Sequence, residues 1–151
     1  MHAVRPAHLF FAALLFSACG PKPVSVEEYH SEKLTFPNGV TIRVERLVHQ
    51  TDIVTGMQYR DSLAENHGLL FVFAQEATMP FWMYRVKVPL DMLWLDRNRT
   101  ILEIVPNVPP CSATRDKCPT YGGSKPSMYV LELAAGVAAK NHLQPGMQLD
   151  F

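Results

Sequence analysis

The stretch that decides the fold covers residues 81–96 and reads Phe-Trp-Met-Tyr-Arg-Val-Lys-Val-Pro-Leu-Asp-Met-Leu-Trp-Leu-Asp. It contains both tryptophans of the chain and no glycine. After the break at Pro89, residues 92–96 have the short apolar pattern of a buried strand. The aromatic residues before the break, 81–84, either belong to a packed β core or line a concave apolar site.

Further strand patterns lie on both sides of this stretch. They cover residues 34–36, 40–48, 69–73, 101–105, 128–133 and 147–151. The first two alternate apolar and polar residues around Pro37-Asn38-Gly39, which predicts a hairpin with one face on the core. Residues 101–105 follow the turn at 97–99 and are the expected antiparallel partner of 92–96.

Helical patterns are few and short. One begins at Thr51-Asp52 and another covers residues 134–141, which are rich in alanine. Crossover helices long enough for βαβ units are missing from the sequence. We therefore predict an α+β fold, with a mainly antiparallel, barrel-like β-sheet and two short helices, as a single domain over residues 33–151.

The first 18 residues predict an export signal. An apolar run at 9–16 is followed by Ser17-Ala18 and then Cys19. A cysteine in the first mature position is typical of a bacterial lipoprotein, in which that thiol is acylated, although an ordinary signal peptide with a chance Cys19 is the alternative. Residues 19–32 would then be a flexible tether from a lipid anchor in the membrane. Gly20, in place of Asp, favours the outer membrane facing the periplasm over the inner membrane.

Export determines how the other two cysteines, Cys111 and Cys118, are interpreted. In an oxidising compartment a disulfide between them is favoured over free thiols. It is also favoured over a metal pair, because zinc needs four ligands and no histidine is close to either cysteine in the sequence. We predict no metal site and no cofactor. The pair lies in a proline-rich irregular segment, 106–127, which the disulfide would hold in shape.

The charge composition excludes one class of partner. Lys and Arg together number 14, as do Asp and Glu, and no basic cluster is present. Proteins that bind nucleic acid generally carry a basic patch, so we expect no nucleic-acid partner. We expect a monomer.

Several short motifs resemble a single family. They are residues 55–60 (Thr-Gly-Met-Gln-Tyr-Arg), 68–73 (Gly-Leu-Leu-Phe-Val-Phe), 81–83, 89–96 and 129–133 (Tyr-Val-Leu-Glu-Leu). In these motifs the chain resembles the DUF192 family, also called UPF0127, over residues 34–151. The resemblance implies a small, often exported prokaryotic protein with a compact β-rich α+β domain. It carries over no catalytic residues, and Tyr84-Arg85-Val86 stand where relatives have a basic residue, Asn and Thr.

Two acidic residues could carry chemistry. Asp91 lies at the start of a strand and Glu132 lies within a strand, both among apolar residues. If they met at one cleft, the pair would suit general acid–base hydrolysis of cell-wall or saccharide material. The favoured alternatives are structural: Asp91 binds backbone N–H groups, and Glu132 faces outward or pairs with an arginine.

The aromatic residues suggest binding. Core positions are favoured for Phe81, Met83 and Trp94, whereas core and rim are evenly balanced for Trp82, Tyr84 and Tyr121. Aromatic rings at a rim could stack on a sugar or a peptide. The polar groups of such a ligand would be held by Asp91, Arg85 and Arg60.

These residues lead to one main hypothesis and two alternatives. The main hypothesis is a non-enzymatic envelope lipoprotein with an aromatic and acidic cleft for a small polar ligand, a glycan or a peptide. The alternatives are a hydrolase that uses Asp91 and Glu132, and a structural scaffold of the envelope.

Overall fold

The computed structural model describes residues 31–151 of the 151-residue chain. The predicted signal sequence, the predicted lipidation site at Cys19 and nearly all of the predicted tether lie outside the described residues. All statements about the fold and the site below concern the described part.

Eight strands and two short α-helices make up this part of the chain. The strands are β1 (Ser31–Thr35), β2 (Thr41–Leu47), β3 (His67–Ala77), β4 (Phe81–Trp82), β5 (Leu90–Leu95), β6 (Ile101–Val108), β7 (Thr120–Tyr121) and β8 (Ser127–Ala134). The helices are α1 (Gln50–Thr55) and α2 (Val137–Lys140), and a single 3₁₀ turn covers Arg115–Lys117.

Six of the strands form one mixed sheet in the order β1-β2-β3-β8-β5-β6. The pair β2–β3 is parallel and the other four pairs are antiparallel, including the two predicted hairpins β1–β2 and β5–β6. The α+β class, the mainly antiparallel sheet and the two short helices are confirmed.

The barrel-like shape is not confirmed, because β1 and β6 are the two edges of this sheet and do not pair with each other. The predicted final strand is also absent as a regular element. Its residues make isolated bridges instead, Asp150 to Thr35 and Gln148 to Thr100. The C-terminal segment thus connects the end of β1 to the β5–β6 turn without extending either edge.

The sheet separates two apolar clusters. On one face, here called the Asp91 face, the sheet packs against α2 and the C-terminal segment through Leu70, Leu93, Leu131, Leu133, Val137 and Leu149. The opposite Glu132 face packs beneath α1, β4 and the loop around the cysteines through Leu69, Phe71, Phe73, Met92, Trp94 and Val130. All six residues of β5 are buried, because both of its faces are covered.

The segment that covers the Glu132 face is held in several ways. Its strands β4 and β7 pair with each other, and Cys111 and Cys118 form the predicted disulfide. The indole N–H of Trp94 donates to the Met79 carbonyl over 2.7 Å. At Gly122, φ is +56° and a Cβ would lie 2.3 Å from the Trp94 ring, so this close approach requires glycine.

Two of the three core positions predicted in this region are confirmed. Met83 and Trp94 are fully buried. Phe81 is half-buried, and its ring makes edge contacts with Phe71 at 4.9 Å and Trp94 at 6.1 Å. Phe71 and Phe81 also line the cavity described next.

Candidate functional site

A cavity of about 390 Å³ lies between the Glu132 face and the segments that cover it. Its walls come from β3, from α1 and the residues after it, from β4 and from the cysteine loop. They are mostly apolar or aromatic: Ile53, Val54, Met57, Phe71, Phe73, Met79, Pro80, Phe81, Trp82, Tyr84 and Val86. This volume and lining are within the range of small-molecule binding sites.

Glu132 is the only acidic residue among those that line this cavity in the described part of the chain. It lies on β8 and its residue surface is 3% exposed. Its cross-strand neighbours, Leu69 on β3 and Met92 on β5, are apolar. Its Oε2 atom has no hydrogen-bond partner among the described residues. Burial of a polar atom without a hydrogen-bond partner is energetically unfavourable. A ligand that forms a hydrogen bond with Oε2 would remove this penalty.

Burial also determines the charge of this group. It raises the pKa of Glu132 from 4.5 to about 8, and the positive field of Arg60 opposes that rise only in part. At neutral pH the side chain therefore carries a proton in the folded protein and can donate a hydrogen bond.

Arg60 does not pair with Glu132. Its guanidinium binds Glu45 instead, over 2.8 Å from Nη1 and 3.0 Å from Nη2, and its Nε donates to the Gly56 carbonyl over 3.3 Å. Arg60 does not line the cavity. The expected arginine partner of Glu132 is therefore absent among the described residues, and Arg60 acts on the carboxyl only through its field.

The rim of the cavity is formed by Trp82 and Tyr84. Their rings lie 6.0 Å apart, tilted by 54°, and both residues are half-buried. The guanidinium of Arg115, from the 3₁₀ turn between the two cysteines, lies 4.6 Å from the centre of the Trp82 ring. Two of the three predicted aromatic candidates thus reach the cavity, together with a cation that the sequence did not single out.

The remaining predicted site residues lie elsewhere. Arg85 stacks on Tyr84 at 5.0 Å and on Tyr59 at 5.4 Å, and it donates a hydrogen bond to the Tyr59 hydroxyl outside the cavity. Tyr121 pairs with Phe81 in the two-stranded sheet and does not line the cavity.

Asp91 lies on the opposite face of the sheet and is fully buried. Its Oδ1 accepts the backbone N–H of Asn107 and its Oδ2 accepts that of Ala138 in α2, each over 2.9 Å. Both oxygens are thus satisfied, and the side chain ties β6 and α2 to β5.

The arrangement of strands separates the two acidic residues. In the β5–β8 pair, Asp91 on β5 lies opposite Leu133 on β8, and the next residue of β5, Met92, lies opposite Glu132. Because adjacent residues of a strand point to opposite faces, the two carboxyl groups lie on different sides of the sheet. The pair proposed for acid–base hydrolysis is therefore not formed, and the cleft contains Glu132 in place of Asp91.

The lining residues that the sequence did not identify include Arg115 and the α1 residues Ile53 and Val54. Arg115 is in an irregular loop, and the Ile53–Val54 pair is also consistent with an ordinary amphipathic helix. The predicted disulfide indicated that the loop carrying Arg115 is held in shape. Nothing else in the sequence indicated that Arg115 or the Ile53–Val54 pair takes part in binding.

The described residues contain neither a cluster of metal-binding side chains nor a membrane-spanning helix. No group of three or more His, Cys, Asp or Glu side chains there is placed to hold a metal ion. Within residues 31–151, no helix has the length and apolar character needed to cross a membrane.

Comparison with known proteins places the chain in a family. The sequence profile of DUF192, described as an uncharacterized ACR, matches residues 33–151. No curated protein matches the chain.

Two solved structures share the fold. A protein from Sinorhizobium meliloti 1021, named as a candidate transcription regulator, is 32% identical, with a TM-score of 0.68 over 78% of this chain and 89% of that one. A protein of unknown function from Novosphingobium aromaticivorans DSM 12444 is 24% identical, with a TM-score of 0.68 over 80% of this chain and 84% of that one. Since the profile covers nearly the whole described domain, including the β3, β4 and β8 strands that contribute to the cavity, the chain belongs to the DUF192 family.

Proposed function

We propose that this protein is a non-enzymatic binding module of the cell envelope, held at the membrane by a lipid on Cys19. Its ligand is a small, largely apolar molecule that enters the cavity over Glu132. The observation that carries the proposal is the combination of an apolar cavity of about 390 Å³ with an unpartnered, almost fully buried carboxyl group in its wall. A ligand that pairs with Glu132 removes the penalty of the unsatisfied atom.

The character of the cavity makes the ligand more apolar than a glycan. Sugars present many hydroxyl groups, each of which needs a polar partner in the site. Most of the lining side chains are apolar or aromatic. The amide of Gln58, one of the few polar groups there, already donates to the Val54 carbonyl over 2.6 Å.

Binding is favoured over hydrolysis by the number of acidic groups. Most glycoside hydrolases use two carboxyl groups that flank one bond. In the described part of the chain, Glu132 is the single carboxyl group that lines the cavity.

A role in transcription, as the name of the Sinorhizobium meliloti relative suggests for that protein, is not favoured here. The equal numbers of acidic and basic residues give this chain no net positive charge to attract nucleic acid.

Blocking the cavity tests the proposal. N-phenylnaphthylamine, a neutral apolar probe whose fluorescence rises on burial, is expected to bind the wild-type protein saturably. Val54 is 51% exposed and lines the cavity, so Val54→Trp fills its entrance without disturbing the core. We expect this variant to bind the probe at least about tenfold more weakly, equivalent to about 1.4 kcal/mol.

The matched control is Val40→Trp. Val40 is 44% exposed, in the β1–β2 turn, and does not line the cavity. This variant should bind the probe as the wild type does. Equal binding by the wild type and Val54→Trp, or no binding by either, would overturn the proposed function.

The anchor is tested separately. Cys19→Ala should move the protein from the membrane fraction to the soluble fraction of the producing cells, because acylation needs the thiol. Gly20→Ala, which keeps that thiol, should leave the protein with the membranes. If Cys19→Ala remains membrane-bound, the lipid anchor is wrong.

A further inference from the structure

We infer that the ligand of the cavity is a small organic monocarboxylate with an apolar body: its carboxylate binds Arg115 at the entrance, and a hydrogen-bond acceptor at its other end meets Glu132. This inference deepens the proposed binding function and rests on it. It is drawn from two polar groups at different depths of one apolar cavity.

The group at the entrance is the guanidinium of Arg115. The residue is exposed, lines the cavity and stacks on Trp82 at 4.6 Å. The ion pairs of the described residues do not include it. The Cys111–Cys118 disulfide closes the loop that carries it, which limits the positions that Arg115 can take. A guanidinium in a fixed position binds a carboxylate through two parallel N–H···O bonds.

The group in the interior is the carboxyl of Glu132. Burial keeps it protonated at neutral pH, so it is a donor without an acceptor. The same cavity is lined by apolar side chains that include Phe71, Phe81 and Met57. A ligand that satisfies both ends therefore needs an apolar body between an anion and an acceptor.

The charges around the cavity favour an anion over an ammonium ion. The charged group that acts on Glu132 is Arg60, through its field; Arg115 lines the same cavity, and Tyr84 is the titratable group at the rim. With Glu132 neutral, both charged groups are positive. A cationic ligand would be repelled by them and would have to displace Arg115 from the Trp82 ring.

Competition against N-phenylnaphthylamine tests the inference with probes of nearly equal shape. Para-acetylbenzoate has a carboxylate and a carbonyl acceptor, para-isopropylbenzoate lacks the acceptor, and para-acetylbenzylamine replaces the anion by a cation. We expect para-acetylbenzoate to displace the probe at least about tenfold better than the amine, and about fivefold better than the isopropyl compound. Octanoate, an acyl-chain acid without the acceptor, should behave as para-isopropylbenzoate does; tighter binding of octanoate would instead identify a lipid-derived acid without a distal acceptor.

Variants of Arg115 and Glu132 test which end of the ligand each residue binds. Arg115→Gln should abolish the preference for the acid over the amine. Lys117→Gln, in the same 3₁₀ turn but away from the cavity lining, should retain it. Glu132→Gln keeps a donor and should preserve the preference for the acetyl group, whereas Glu132→Leu should remove it.

The pH profile separates a hydrogen bond from a packing effect. In the wild type the preference for the acetyl compound should fall as the pH rises through about 8, where Glu132 loses its proton. In Glu132→Gln it should stay constant.

The outcomes distinguish this inference from the proposed function. Equal displacement by acid and amine, or a preference that survives Arg115→Gln, overturns the inference. If Val54→Trp still weakens probe binding by at least about tenfold in that case, the binding function stands. If Val54→Trp has no effect on probe binding, both are wrong.

Discussion

The two faces of the central sheet place a buried carboxyl group in opposite situations. On the Asp91 face, both oxygens accept backbone N–H groups, and the surrounding apolar side chains pack against α2 and the C-terminal segment. On the Glu132 face, the carboxyl group has an unpartnered oxygen and borders a cavity. The two residues are on neighbouring strands, one pairing position apart.

The difference shows that burial of an acidic residue does not by itself indicate function. Asp91 is the more completely buried of the two, yet its hydrogen bonds explain its position. Glu132 has no such explanation within the described structure. A buried group that the fold leaves unsatisfied is the better indication of a binding site.

Removal of the Asp91 carboxylate should have the largest effect on stability. Asp91→Ala leaves the N–H groups of Asn107 and Ala138 without acceptors. We expect a loss of about 4 kcal/mol in the free energy of unfolding, measured by urea denaturation at neutral pH. Asp91→Asn, which retains one acceptor oxygen, should lose about half as much. An Asp91→Ala protein as stable as Glu132→Gln would abolish the contrast between the two faces.

The Glu132 side chain should instead lower stability as the pH rises. Its pKa is 4.5 in the unfolded chain and about 8 in the folded protein. Below pH 4.5 both states hold the proton, so stability is unaffected. Between these values the unfolded state releases the proton first, so stability falls as the pH rises and levels off above about 8.

Glu132→Gln is the control for this effect, because an amide does not titrate. We expect the variant to match the wild type at pH 4 and to exceed it by an amount on the order of 4 kcal/mol at pH 8, measured by urea denaturation across the range. A wild-type protein that gains stability relative to Glu132→Gln over this range would show that the carboxylate is paired.

Loss of the disulfide should have the smallest effect on the free energy of unfolding. The structural change should be confined to the Glu132 face of the sheet. The double variant Cys111→Ala with Cys118→Ala is expected to lose about 2 kcal/mol, because the unfolded loop is no longer closed. It should also bind N-phenylnaphthylamine more weakly, since the loop carries Arg115 to the rim. Hydrogen exchange at the Ala138 amide, which reports on the Asp91 face, should still show protection from local opening. Unchanged probe binding would show that the loop is positioned without the disulfide.

Much of the fold was predictable from the sequence because its signals are local. The turn at Pro37-Asn38-Gly39 and the alternation around it predicted the β1–β2 hairpin, and the short apolar run at 69–73 predicted the centre of β3. The parallel pairing of β2 with β3 carries no local signal, because it depends on how the connection through α1 folds back. The prediction of a barrel-like sheet was not confirmed for the same reason. Whether two distant edge strands pair with each other cannot be inferred from the local sequence of either strand.

The candidate site was predictable only in part. Trp82 and Tyr84 were identified as aromatic residues able to reach a rim, and both do. Asp91 was expected in the cleft and lies on the other face. Arg115 was not identified at all, because a single arginine in an irregular loop has no pattern that relates it to a tryptophan 33 positions earlier.

The sequence by itself determined the family, the strand and helix classes, and the cysteine pair, because motifs, periodicity and composition are properties of the chain alone. It could not determine which carboxyl group would be left unsatisfied. In β5 and β8, apolar residues occupy both faces, so the alternation that would mark an inner and an outer side is missing. Only the tertiary structure decided this, by placing the N–H groups of Asn107 and α2 against Asp91 and an apolar cavity against Glu132.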